Sequence, residues 1–321
     1  MIKLFGDTPQ YKTSDDSKDD LLPMFECCLL GASSSCKTTL LACVDRLFLQ
    51  LTCETDMSVG AVHATPSLLS NVFDELERAA DTSLPGKFRA RIAGTKKKTK
   101  WDYFLINGSI MVDFRIHDCP GSWLVTSQSR GNLDAVIEMA QRSSVIIVTI
   151  SAPLLMETEG ARSNGVLAST VNYVMDKAFA NDDGREHLIL LVPTKCETYM
   201  QDAKLRARLH RRVEDEFSAT IRLGEAPAYR GRLTVAYLPV QTVGNVRFKE
   251  FWEGEEIYLK NVKRSFSPEN VDHLAYWLLA FLMRQYALID TSLDVEDVNS
   301  LFTDLAGGGN SVHCGKELLG L

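Results

Sequence analysis

Residues 29–44 read LLGASSSCKTTLLACV. Gly31, Lys37 and Thr38 meet three of the four fixed positions of G-x-x-x-x-G-K-[ST], a loop whose backbone N–H groups surround phosphate oxygens. In that pattern the lysine reaches the β- and γ-phosphates, and the threonine offers its hydroxyl to Mg2+. Cys36 stands where the second glycine belongs. A glycine there lets the backbone approach phosphate with no side chain in between. Cysteine is small, so the loop survives if its Cβ points away from the ligand. Ser33, Ser34 and Ser35 bring hydroxyls in place of glycines. Weaker or slower handling of a phosphate ligand is the expectation, and a serine-rich strand-to-helix turn with no ligand is the competing reading. Two further stretches carry chemistry. Asp118-Cys119-Pro120-Gly121 pairs an aspartate able to hold Mg2+ through water with a glycine able to offer its N–H to a terminal phosphate. Thr194-Lys195-Cys196-Glu197 sets a lysine and a carboxylate together.

The elements that position these residues follow from periodicity. MFECCLL (24–30) is a short apolar run that suits a buried strand, and KTTLLACVDRLFLQL (37–51) spaces Leu40, Leu41, Val44, Leu47 and Leu51 for a helix. Strand, loop and helix are the context the phosphate-loop pattern requires. A helix is expected over 66–80, with proline in its first turn. Residues 101–118 read as two strands joined at Asn107-Gly108, a hairpin signal. A short helix over 132–143 precedes the strand SVIIVTIS (144–151), rich in β-branched residues. Then come a helix at 161–180, the strand HLILLVPT (187–194), a helix at 199–217 and the strand LTVAYLPV (233–240). A last helix is expected from Ser267, with Pro268 at its first position, to about 287. Alternating strands and helices imply an α/β three-layer sandwich around a mostly parallel six-stranded sheet with one antiparallel edge strand. We divide the chain into a lead-in segment (1–22), one large domain (23–288) and a C-terminal helix and flexible tail (289–321).

Bulk properties exclude some classes. The chain has 321 residues, 45% apolar and 24% charged, as in an ordinary globular protein. A net charge of −7 argues against a nucleic-acid or anionic-membrane binder. No apolar run reaches the roughly 18 residues of a membrane span, and the first 20 residues have no signal-peptide core. Eight cysteines without a C-x-x-C pair read as reduced thiols, which implies a cytoplasmic protein. Cys36, Cys119 and Cys196 lie inside the three motifs, and we read them as small fillers in preference to a thiol switch. The basic run 87–100 reads as a solvated loop before a phosphate-steering one. His117 should face away from Asp118, and Trp252, Tyr276, Trp277 and Phe281 read as packing residues.

Taken in order on three strand ends, the motifs resemble those of the Ras-like P-loop GTPases, over about residues 24–287. The long insert before the hairpin and the phrases SAPLLMETEG and LPVQTVGNV resemble the translation-factor-related (TRAFAC) class, including the bacterial double-GTPase-type proteins of conflict and defence gene clusters. The resemblance implies a guanine-nucleotide switch that slowly hydrolyses GTP to GDP and phosphate with Mg2+. Gly31, Ser33, Ser34, Ser35, Cys36, Lys37, Thr38 and Thr39 would cradle the phosphates. Thr38 and Asp118 would hold Mg2+. Lys37, Gly121 and Thr95 would act on the γ-phosphate, Thr95 being favoured over Thr99 for its distance from Trp101. Thr194-Lys195-x-Glu197 is similar to the guanine motif [NT]-K-x-D, with the carboxylate one methylene longer, and Gln241-Thr242 would lie beside the base. Ser122 and Trp123 follow Gly121 where many small GTPases have a water-positioning glutamine, and Gln128 is too distant to match. Hydrolysis should be slow or completed by a partner. The resemblance also implies a protein effector or activating partner and allows a homodimer. Two other readings stay open: a pseudo-GTPase scaffold or partner-binding module, and an ATP-using P-loop enzyme.

Overall fold

The computed structural model describes residues 24–54, 57–62, 65–83, 86–88, 96–107, 110–124, 130–157, 164–180, 184–253 and 255–289. Its centre is strand β1 (Met24–Gly31), which leads through the serine-rich loop into helix α1 (Lys37–Glu54). Strand β2 (Met57–Ala61) and helix α2 (Thr65–Ala80) follow, then the two-residue strand β3 (Lys87–Phe88). β4 (Thr99–Asn107) and β5 (Ile110–Asp118) form the expected antiparallel pair, with Thr99 opposite Asp118; Gly108 of the expected turn lies outside the described residues.

A 3-10 turn at Gly121–Leu124 precedes α3 (Arg130–Arg142), β6 (Val145–Ser151), the short α4 (Ala152–Glu157) and α5 (Asn164–Ala178). β7 (His187–Thr194) ends in a second 3-10 turn, Cys196–Thr198. Then come α6 (Ala203–Glu216), α7 (Ser218–Glu225), β8 (Leu233–Tyr237), β9 (Val246–Trp252), β10 (Glu255–Lys260) and α8 (Val271–Ile289).

The main sheet has seven strands in the order β2-β4-β5-β1-β6-β7-β8. β5, β1, β6, β7 and β8 pair in parallel, and β4 is antiparallel to both β5 and β2. Two expectations are therefore corrected. The sheet has seven strands where six were expected, and its antiparallel strand is second from the edge, because β2 pairs outside it. β2 reads weakly in sequence because MSVGA is only five residues long and contains a glycine.

Alternation sorts the side chains into two cores. From β1, Phe25, Cys27 and Leu29 pack on one face, with α1, α2 and α8; Cys28 and Leu30 pack on the other, with α3, α5 and α6. β6 and β7 are buried along their whole length, as the inner strands of a sheet covered on both faces must be. Each Val, Ile or Leu so enclosed contributes roughly 2 kcal/mol of transfer free energy.

Three further differences concern the last third of the chain. The expected helix at 199–217 starts only at Ala203, after turns over 199–202 that follow the 3-10 turn, and runs as α6 to Glu216, followed by α7. Asp202 starts α6 by accepting hydrogen bonds from the Lys204 and Leu205 N–H groups. Helix α8 starts at Val271 and not at Ser267. Residues 267–269 instead lie along the loop after β8: Ser267 N donates to Val243 O, and Gln241 and Glu269 exchange backbone bonds. Asn270 then takes a left-handed φ of 65° and donates to Pro239 O, and the helix begins after it. Finally, β10 pairs with β3 on one side and β9 on the other in a separate three-stranded antiparallel sheet. The expected C-terminal helix and tail, beyond residue 289, lie outside the described residues.

Candidate functional site

The parallel strands end on one side of the sheet, and the motif residues meet there. β1 is the fourth of seven strands, with β5 and β6 beside it. The loop 31–36 thus leaves from the middle of the sheet, and its walls are the ends of β5, β6 and β7. The first hydrogen bond of α1 runs from Leu40 N to Cys36 O. The N–H groups ahead of it therefore open on the loop, with the positive end of an 18-residue helix behind them.

The loop holds its shape with few glycines. Ser35 N donates to Ala32 O, and the Ser35 hydroxyl bonds both Ala32 O and the Thr149 hydroxyl behind it. Thr149 in turn donates to Leu30 O. Gly31 is needed for this closeness: a Cβ there would lie 2.0 Å from Thr149 Oγ1. Ser34 and Cys36 take positive φ values of 66° and 62°. The pattern's missing glycine is therefore missing at a position that does use left-handed backbone. Desolvation pushes the Cys36 thiol above its ordinary pKa, so it is not an activated thiolate.

Lys37 is 6% exposed. Its ammonium donates to Gly31 O and Ala32 O, at 2.8 and 3.1 Å, and so folds over the loop it starts from. Burial lowers its pKa, and the nearby Asp118 works in the opposite direction. Thr38 Oγ1 lies 3.5 Å from Asp118 Oδ2. This pair offers a hydroxyl and a carboxylate, the hard oxygen donors that suit Mg2+, which commonly takes one or two protein oxygens and completes its shell with phosphate and water. The pair fits such an ion. Among the described residues, no group of three or more His, Cys, Asp or Glu side chains could hold a metal alone.

Gly121 touches the loop directly: a Cβ on it would sit 2.1 Å from Ser33 N. Any other residue there would push the loop or the turn aside. His117 points away, as alternation requires, and lies 3.5 Å from Glu26. Thr95 lies outside the described residues. Thr99 starts β4, and its hydroxyl donates to Lys97 O.

The Thr194–Glu197 stretch is joined to the loop 31–36. The Thr194 hydroxyl donates to Ser35 O and Ile150 O. Lys195 has a left-handed φ of 59°, and its ammonium donates to Ser34 O at 2.7 Å. It also pairs with Glu256 of β10. Burial works against the Lys195 charge, yet the Glu256 carboxylate beside it holds its pKa above the ordinary value.

Glu197 is 1% exposed, and its Oε1 accepts from Val243 N and Gly244 N. Its other oxygen is buried with no hydrogen-bond partner, and desolvation raises the pKa of the acid. Gln241 and Thr242 are both buried; Gln241 bonds Glu269, and Thr242 O faces the Cys43 thiol. Glu197 therefore meets the loop after β8 through Val243 and Gly244.

Sequence reasoning missed Thr149, Ser151, Glu256 and Tyr258. Thr149 and Ser151 lie in a strand with no motif. Glu256 reaches Lys195 across 61 positions of sequence, so no local spacing could reveal it.

No protein-family model matches the chain, and no curated protein matches it. Among solved structures it is similar to the GTPase-like domain of Ski7 from S. cerevisiae bound to GDP and inorganic phosphate, at 13% identity and a TM-score of 0.34, over 72% of this chain and 47% of that one. It is similar to the small GTPase Arl6 (BBS3) from Trypanosoma brucei with the nucleotide analogue GppNp, at 12% identity and a TM-score of 0.38, over 82% of this chain and 99% of that one. A third is the signal recognition particle receptor SRb-GTP/SRX complex from Chaetomium thermophilum, at 13% identity and a TM-score of 0.38, over 70% of this chain and 93% of that one. The chain thus spans about half the length of the Ski7 chain.

Proposed function

We propose that this chain is a guanine-nucleotide-binding protein of the P-loop GTPase type, with slow Mg2+-assisted hydrolysis. The observation that carries the reading is the convergence of Lys37, Thr38 and Asp118 at the mouth of a loop backed by a helix N-terminus. Such a group suits a phosphate-bearing ligand with its metal ion. Lys37 would exchange its two carbonyl partners for phosphate oxygens. Thr38 and Asp118 would hold Mg2+, which neutralises charge as it develops on the phosphates. Gly121 would offer its N–H to the terminal phosphate, and Thr95 would do the same from the preceding segment. Lys195 would lie along the base, and the unpartnered oxygen of Glu197 would accept from a guanine N–H. The TRAFAC class, the defence-cluster setting and an activating partner belong to this proposal as well.

One observation favours the pseudo-GTPase reading. Glu197 and Lys195 already have partners within the fold, in the Val243 and Gly244 N–H groups and in Glu256. The base side could therefore be structural. A titration of nucleotide-stripped protein with fluorescent GDP, GTP and ADP analogues, with and without Mg2+, separates the readings. The GTPase reading expects guanine preference and tightening by Mg2+. Lys37→Ala should weaken binding about 10- to 100-fold, the worth of a charge-assisted contact to phosphate. Equal affinity for adenine and guanine overturns the guanine assignment, and no binding at all leaves the scaffold.

A further inference from the structure

Building on that nucleotide-site reading, we propose that Glu256, carried by the small three-stranded sheet, is a positioning residue of the same site: it holds Lys195, and through Lys195 the Ser34–Cys36 segment, in the ligand-taking shape. The small sheet is then a working part of the site and not an appendage.

Lys195 has the means to shape the loop. Its ammonium donates to the carbonyl of Ser34, one of the two loop residues with left-handed backbone. That carbonyl's orientation fixes the peptide between Ser34 and Ser35, whose own carbonyl accepts from Thr194. Consecutive residues at the end of β7 therefore grip consecutive carbonyls of the loop.

Lys195 is in turn held by Glu256. The side chains are 13% and 12% exposed, so neither charge has much water to fall back on. Glu256 has both oxygens occupied: Oε1 accepts from the Ser151 hydroxyl at 3.0 Å, and Oε2 accepts from Tyr258 OH at 2.9 Å as well as pairing with Lys195. Ser151 ends β6, beside the loop. Tyr258 is 8% exposed and packs edge-on against Phe88 and Phe248, which belong to the other two strands of the small sheet. The carboxylate is thus fixed by its own sheet before it meets the lysine. Removing it would leave a mostly buried ammonium with a single carbonyl partner, and such a side chain relaxes towards solvent. The loop would then lose its outer grip while the core stayed intact.

The test compares full-length wild type with Glu256→Gln, Lys195→Ala, the double variant, and Glu255→Gln as an exposed neighbour on the same strand. Hydrogen exchange of the nucleotide-free proteins is read by mass spectrometry over residues 32–38, with residues 145–151 as the internal reference. Dissociation constants for a fluorescent GDP analogue are measured in parallel. The expected result is faster exchange over 32–38 in Glu256→Gln alone of the two glutamate variants, with 145–151 unchanged. GDP affinity should fall about tenfold in Glu256→Gln, and the double variant should bind no worse than Lys195→Ala, because the two residues act as a unit. The proposal is overturned if Glu256→Gln exchanges like Glu255→Gln, if 145–151 quickens equally, or if the two affinity losses simply add. Should wild type bind no nucleotide, the GTPase reading falls, while the exchange comparison still decides whether Glu256 positions the loop.

Discussion

At the residue scale, the sequence's odd letter turns out to be a conformational matter. Cys36 has a φ of 62° in the position where the phosphate-loop pattern has glycine. Left-handed backbone costs a non-glycine residue roughly 1–2 kcal/mol, and glycine's greater unfolded entropy returns about half of that. Cys36→Gly should therefore change stability by less than about 1 kcal/mol and tighten nucleotide, since glycine leaves the loop backbone freer to approach phosphate. Cys36→Val should cost about 2 kcal/mol of stability, because a β-branched residue is an outlier at positive φ. Urea titrations and a nucleotide titration of both variants check this pair. Glu197 gives a prediction in pH. Its folded-state pKa is raised above the ordinary 4.5, mainly by burial. The folded protein therefore holds this proton more tightly than the unfolded chain. The resulting stability is complete below the ordinary value and is lost as pH rises through the raised one. Glu197→Gln carries no such charge, so its stability relative to wild type should climb as pH rises above about 4.5. Parallel urea midpoints between pH 4 and pH 8 would show that climb, and a flat difference would refute it.

At the element scale, legibility followed locality. β6, β7 and α1 could be placed from sequence because their signals are self-contained: VIIVTIS and HLILLVPT are unbroken apolar runs, and the α1 leucines keep helical spacing. β9 and β10 could not. VRFKEFW and EEIYLK alternate only loosely and bury few residues, and their partner, Lys87-Phe88, is two residues long and far away in the chain. Ser267-Pro268 carries a good helix-start signal, but tertiary bonding to Val243 and Gln241 claims that stretch and moves the start of α8 to Val271. The same logic explains the site. The strand–loop–helix around Gly31–Thr38 is local and was readable, whereas the Glu256–Lys195 pair joins two sheets and was not. Helix α8 has its own distant anchor. Arg284 makes a two-pronged contact with Glu186, both bonds 2.7 Å, and Gln285 donates to the same carboxylate. The pair is about one-quarter and one-fifth exposed, so screening is incomplete. Arg284→Ala should cost about 1–2 kcal/mol, less in high salt, and Arg284→Lys should recover only part, because lysine cannot make the forked contact. Urea midpoints at low and high ionic strength measure both.

At the scale of the whole molecule, the site is where separately buried layers meet. The loop belongs to β1 and α1, its Thr38–Asp118 contact draws on β5, and its outer contacts come from β7, whose Lys195 pairs with Glu256 of the small sheet. These pieces lean on two cores: Val246, Phe248 and Tyr258 of the small sheet share one with α1, α2 and α8, while α3, α5 and α6 press on the other face of the main sheet. A ligand seated at their junction would bind only the folded state, so its free energy of binding must appear as global stability. With nucleotide at a hundred times its dissociation constant the gain is about 2.7 kcal/mol. For a domain of this size that corresponds to a rise in Tm of about 5 °C. GDP with Mg2+ should produce this rise in wild type, GDP without Mg2+ a smaller one, and Lys37→Ala about half of it or less at the same concentration. Glu256→Gln should fall between wild type and Lys37→Ala, because it leaves the phosphate lysine in place and loosens only the loop around it. A rise that is the same in all three proteins would mean that GDP binds elsewhere on the surface, and the junction at Gly31–Thr38 would then be architecture alone.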